Sequence, residues 1–263
     1  MRRKQKKKRN NKKLKIILRL SVLTFFLIIA GKLVFDYAQI GIYKDVNLEM
    51  FKNSSAPKPT GKYKILDCKN INQHDGYPTG CESVSAVILL KYYGMEIDVA
   101  DFISKYLDIA GIGTVDGVLT GPSPYEYYVG DPTSTSGYGC FAPVIVNALR
   151  KCLPANMSYS DSTGTSLSEL CKLYIDHDIP VLVWTTVDMR PVGEGKSWTV
   201  SSTGEKFTWP AGEHCMVLVG YDESHYYFND PYDNHGLVAY DKQACVTAHN
   251  SLGKQSVVIY KNK

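Results

Sequence analysis

Asn72-Gln73-His74-Asp75-Gly76-Tyr77-Pro78-Thr79-Gly80-Cys81-Glu82-Ser83-Val84-Ser85-Ala86 decides how the rest of this chain is understood. Gly76, Pro78 and Gly80 keep the residues before Cys81 irregular. From Glu82 to Tyr93 the apolar residues Val84, Val87, Ile88 and Tyr92 recur at helical spacing, and Gly94 supplies a C-terminal stop. Cys81 therefore stands at a helix N-terminus. There the exposed ends of the peptide dipoles favour a thiolate, which is the nucleophilic form of sulfur. The same position would suit a structural or disulfide-bonded cysteine, so further partners are needed.

Moving outward, Tyr63 to Leu66 reads as a short strand and Asp98 to Leu107 as a second helix. A Gly-, Pro-, Ser- and Thr-rich excursion covers residues 111–139. Pro143 to Lys151 and Leu167 to Asp178 read as helices. Pro180 to Trp184 is an apolar run typical of a buried strand. Residues 190–212 form a polar excursion with a hairpin. His214 to Tyr221 is a second buried strand, followed by strands at Tyr226 to Asn229, Leu237 to Tyr240 and Ser256 to Tyr260. Helices early and strands late define an α+β class: N-terminal helices followed by an antiparallel sheet.

A buried strand that opens on His214 needs a partner for the imidazole. A cysteine at a helix start and a histidine far downstream on a core strand together suit nucleophilic catalysis with His as base. The orienter for His214 is ambiguous between Asp230 and Asp233. An uninterrupted hairpin pairs 217 with 230, which puts Asp233 opposite His214. Asp230 requires a bulge or strong twist. An oxyanion would need donors, which the Cys81 N–H and the Gln73 amide can supply.

The strings N-Q-H-D-G-Y-P-T-G-C-E-S-V-S-A, V-G-D-P, G-E-H-C-M-V-L-V-G-Y-D and F-N-D-P-Y-D resemble stand-alone relatives of the bacteriocin-processing leader peptidases. The resemblance runs from about Ile65 to Tyr260 and implies a papain-like cysteine peptidase fold. It also implies Cys81 as nucleophile, His214 as base, Asp230 as orienter and Gln73 as oxyanion donor. Leader peptidases of bacteriocin exporters are fused to a transporter and work on the cytoplasmic side. This chain has no nucleotide-binding G-x-x-x-x-G-K-S/T motif. Their leader specificity is therefore not carried over.

Charge separates the chain into regions. Residues 1–19 hold 11 Lys/Arg and no acid, whereas the remainder has 19 basic and 26 acidic residues. A basic nucleic-acid-binding face is excluded, because the positive charge lies in one tail. Leu20 to Gly31 is uncharged, and the apolar character extends to Phe35. The expected organisation is a cytoplasmic basic tail (1–19), a transmembrane signal-anchor (20–35), a linker (36–62) and a peptidase-like domain (63–263). The basic flank orients the domain outward. Cleavage of the apolar segment, giving a secreted domain, is the alternative. Seven cysteines allow disulfides in an exported protein but leave at least one thiol over. No C-x-x-C or H-E-x-x-H spacing occurs, and neither a cofactor nor a metal is expected.

The expectation is thus a membrane-anchored extracytoplasmic cysteine peptidase acting on a peptide or protein substrate. The competing readings are a cell-wall peptide amidase or endopeptidase, and an inactive peptide-binding domain of the same fold. In the last, Tyr125, Tyr127, Tyr128, Tyr138, Trp198 and Trp209 would form the working surface.

Overall fold

The computed structural model describes Phe51, residues 54–232 and residues 236–262. The basic tail, the apolar segment, most of the expected linker and Asp233 lie outside these residues. Among the described residues no helix is long and apolar enough to cross a membrane.

Strands dominate the C-terminal half. The main sheet is wholly antiparallel and runs β12 (Leu237–Asp241), β11 (His225–Asn229), β10 (Glu213–Tyr221), β7 (Val181–Thr186), β13 (Ser256–Lys261), β6 (Met157–Asp161). A short β1 (Lys64–Ile65) pairs with the far end of β10. Val181 to Thr186 and His214 to Gly220 are buried throughout, as their unbroken apolar runs require. Gly220 lets β1 cross closely, since a Cβ there would stand 2.3 Å from the Lys64 carbonyl oxygen.

Helix α1 (Cys81–Tyr92) packs on β10 and β7, and also against α2 (Val99–Tyr106) and α3 (Ala142–Cys152). Every residue from Cys81 to Leu90 is buried, so this is a central helix and not the one-faced helix that its spacing suggests. Gly94 follows the C-cap with φ +80°, the left-handed conformation that ends the helix. Asp98 caps α2 by accepting from Asp101 N.

The structure corrects one expected helix and adds two features on which the sequence reading was silent. The helix expected over 167–178 is α4 (Leu167–Leu173), followed by a separate 3₁₀ turn at Ile175–His177 that ends in left-handed Asp178. Residues 242–251, assigned no helix from sequence, form α5 (Lys242–Ser251). The two excursions are not independent. From the first come β3 (Gly113–Val115) and β4 (Val118–Gly121), and from the second the hairpin β8 (Gly193–Val200) and β9 (Lys206–Ala211). Parallel pairing of β4 with β8 joins them into one four-stranded sheet. The first excursion also holds β5 (Tyr128–Val129), which pairs with β2 (Ile109–Ala110).

The Pro- and Ser-containing stretch before the domain is tied down at several points. Ser54 donates to the Leu237 carbonyl, and Tyr227 donates to the Pro57 carbonyl (3.2 Å). Thr60 N–H reaches Asp222 (3.1 Å) in the β10–β11 turn. Asp222 is 1% exposed and also accepts from Ser224 N, His225 N and the Tyr227 hydroxyl. Burial alone would raise its carboxyl pKa, but these hydrogen bonds outweigh burial and hold it below the ordinary value. Asp222→Ala strands several donors and is expected to cost about 3 kcal/mol in urea unfolding near neutral pH. Because the folded pKa is lowered, this contribution is present above the ordinary carboxylate pKa and is lost as pH falls through the folded value. The difference between wild type and variant should therefore shrink in acid.

Candidate active site

Cys81 is the first residue of α1, with Gly80 as an N-cap that contributes no side-chain bond. The segment before it is held by its own bonds. Gly80 N donates to Tyr77 O (2.9 Å), and the buried Tyr128 hydroxyl donates to the Thr79 carbonyl. One turn into the helix, Ser85 Oγ donates to the Cys215 carbonyl (3.0 Å) and pins α1 to β10. A backbone hydrogen bond from Cys215 also reaches the Cys81 sulfur. The sulfur therefore lies against the strand mouth that carries His214.

His214 is 2% exposed, and its Nε2 stands 2.7 Å from Asp230 Oδ1. The hairpin register explains this pairing. Tyr221 pairs with Tyr226 and Gly220 with Tyr227, but Leu218 pairs with Phe228 and Val217 with Asn229. Val219 is the additional residue of a bulge, and its carbonyl accepts from Leu66 N (2.8 Å) on the other side. Without the bulge, Asp230 would oppose Val217 and share its face, the face away from His214. The one-residue slip moves Asp230 to the face of Met216 and His214. Asp230 is the residue paired with His214; Asp233 lies outside the described residues.

The segment Asp230-Pro231-Tyr232 organises more than the imidazole. Tyr232 N donates to Asp230 Oδ1 (2.9 Å), and its ring stands edge-on to His214 at 5.8 Å. Gln73 N donates to the Pro231 carbonyl (2.8 Å), and His74 packs on the Tyr232 ring at 4.8 Å. Gln73 is 2% exposed, with Nε2 donating to Pro78 O (3.0 Å) and Oε1 buried without a partner. The Gln73 and His214 portions of the site thus hang from one short piece of chain.

Two carboxyl groups that sequence reasoning passed over complete the surroundings. Glu82 is fully buried. Its Oε1 accepts from Cys140 N (2.6 Å), and its Oε2 accepts from the Cys81 thiol (3.3 Å). Burial pushes its pKa up to about 7 against these hydrogen bonds and the nearby His214. Glu213, the residue before His214, has Oε1 buried without a hydrogen-bond partner, and burial and then Glu82 raise its pKa well above the ordinary value. One sequence signal was available: each acid is the immediate neighbour of a candidate catalytic residue, Glu82 after Cys81 and Glu213 before His214. At the turn into α3, a Cβ on Gly139 would lie 2.2 Å from Glu82 Oε1 and 3.1 Å from the tip of the Trp209 ring. Trp209 stacks on Phe141 at 5.7 Å, so the β8–β9 hairpin closes over the Gly139–Phe141 segment. Trp198 and Trp209 are therefore largely buried packing groups.

The helix dipole that favours a thiolate at Cys81 meets opposing groups in the structure. Burial, then Glu82 and Glu213, raise the Cys81 thiol well above its ordinary value, with the Cys215 hydrogen bond opposing them. Desolvation and two acids act against the helix dipole here. All seven cysteines are free, and the other six are also raised by burial.

A central helix that starts at a cysteine docks here on the antiparallel strand that carries a buried His–Asp pair. The profile of the Peptidase_C39 like family matches residues 65–257, and the chain belongs to that family. It is 29% identical over 203 residues to the uncharacterized protein YvpB of Bacillus subtilis (strain 168), covering 76% of this chain and 78% of that protein. A crystal structure of a Bacillus anthracis protein classed as a C39-like peptidase superimposes with a TM-score of 0.67 at 26% identity. That alignment covers 77% of this chain and all of the other. Xylellain, a cysteine protease of Xylella fastidiosa, aligns at 10% identity with a TM-score of 0.33 over 84% of this chain and 91% of its own, too distant to carry an argument.

Proposed function

We propose that this chain is a cysteine peptidase that hydrolyses peptide bonds through Cys81, His214 and Asp230, with Gln73 donating to the oxyanion. The observation that carries this reading is the buried 2.7 Å bond from His214 Nε2 to Asp230, on the strand β10 against which the start of α1 docks. With Nε2 held by the carboxylate, Nδ1 is the nitrogen left to take the thiol proton. The resting thiol is neutral, so the nucleophile forms as that proton moves to His214. Sulfur attacks the carbonyl carbon, and the oxygen becomes an oxyanion facing the Gln73 amide and the Cys81 N–H. Collapse breaks the C–N bond, His214 returns the proton to the leaving amine, and a thioester remains. Water, deprotonated by His214, then hydrolyses it.

The test is a panel of peptide and purified cell-wall substrates, with Gln73→Ala beside the wild type. Gln73→Ala is expected to lower kcat roughly 10²–10³-fold with little change in KM. Equal kcat in both proteins would remove Gln73 from the mechanism. Release of wall fragments without cleavage of any peptide would turn the reading to a wall amidase. Residues 1–35 support placing this activity outside the cell on a membrane tether, through their basic tail and apolar stretch. An impermeant amine reagent applied to intact cells is expected to label the domain; labelling only after lysis would count against that location.

A further inference from the structure

Cys81, Glu82 and Glu213 each offer a donor atom to one point, and the three atoms lie within 4.8 Å of one another. Among the described residues no lysine or arginine forms an ion pair with either glutamate. Glu213 Oε1 is buried there without a hydrogen-bond partner. We infer that these residues form a binding site for a zinc-like divalent cation, which occupies the nucleophile reversibly. The site is built from peptidase machinery, so its inhibitory meaning rests on the proposed function. The binding itself does not.

Chemistry selects the ion. In a tetrahedral zinc site a thiolate at ~2.3 Å and a carboxylate oxygen at ~2.0 Å stand about 3.5 Å apart. Cys81 Sγ and Glu82 Oε2 are 3.3 Å apart. A sulfur donor and a mostly buried pocket disfavour calcium and magnesium, which take oxygen ligands and keep water. Charge agrees. A thiolate and two carboxylates give three negative charges, which a divalent ion offsets in large part. Binding exchanges protons for the metal: the S–H and carboxyl protons go to solvent as the metal–sulfur and metal–oxygen bonds form. A substrate ammonium group could satisfy the carboxylates but would gain nothing from the sulfur.

Cobalt(II) reports on such a site, because a thiolate ligand adds an intense charge-transfer band in the near ultraviolet. Titrating the purified full chain with Co²⁺ is expected to produce this band, saturating at one equivalent and displaced by Zn²⁺. Cys81→Ser should abolish the band, and Glu213→Gln should weaken Co²⁺ binding at least tenfold. Zn²⁺ should also protect Cys81 from iodoacetamide, as read from the mass of its peptide, and a chelator should restore labelling. No band, an equal band in Cys81→Ser, unchanged affinity in Glu213→Gln, or unprotected Cys81 at saturating Zn²⁺ would each overturn the proposal. A protein that binds and is protected but hydrolyses nothing would overturn the peptidase reading and leave the metal site standing.

Discussion

Cys81→Ala is expected to leave no measurable peptide hydrolysis, a loss of roughly 10⁴-fold or more. The argument is chemical: in the proposed mechanism Cys81 supplies the attacking atom, and its thioester cannot form without that sulfur. Collapse of the fold is not expected to explain the loss. Cys81 is small and 5% exposed, and truncating it removes one sulfur from a site held by the Ser85–Cys215 bond and the apolar helix. Near-ultraviolet circular dichroism should be retained. Labelling gives an independent measure. Cys152 is the one half-buried thiol, with its pKa pushed up to about 11, and provides the background rate. Cys81 should react faster than Cys152 while His214 is present, and no faster once it is replaced. Residual turnover in Cys81→Ala above a tenth of wild type would remove this residue from the mechanism.

His214→Ala should be nearly as damaging as loss of the sulfur, because the two act as one unit. Asp230→Ala is the more informative change. Asp230 touches no substrate in the proposed mechanism; it is a positioning residue. Its Oδ1 accepts from both His214 Nε2 and Tyr232 N. Removing it frees the imidazole to rotate and to place its proton on the wrong nitrogen. The expected loss is about 10²–10⁴-fold in kcat with KM nearly unchanged. A merely structural aspartate would change thermal stability without that split. A KM increase with kcat preserved would show that the segment binds substrate and does not orient the base.

The positions of Cys81 and His214 were legible because each lies where a regular pattern begins: the helix after Gly80, the apolar strand after Glu213. The choice of Asp230 over Asp233 came from the resemblance alone, because residue by residue it depends on one unpaired residue, Val219, whose bulge is hinted at only by the adjacent Gly220. Helix α5 escaped for another reason. Its buried residues are Cys245, Ala248 and His249, and Val246 and Thr247 are β-branched. Only Asp241, which accepts from Gln243 N and Ala244 N, announces its start. The charge state of Cys81 required three-dimensional knowledge. A dipole can be inferred from a helix start, but the Glu82 and Glu213 carboxyls that oppose it meet only after α1 has docked on β10.

The pairing of β4 with β8 has a bearing on how specificity could be changed. Grafting one excursion from a relative would leave the other with a foreign neighbour along its hydrogen-bonded edge. Successful exchanges should therefore need both segments from the same donor, and in laboratory evolution, insertions in one should favour compensating changes in the other. This four-stranded sheet would then diversify as a single heritable module, although its halves are encoded about eighty codons apart.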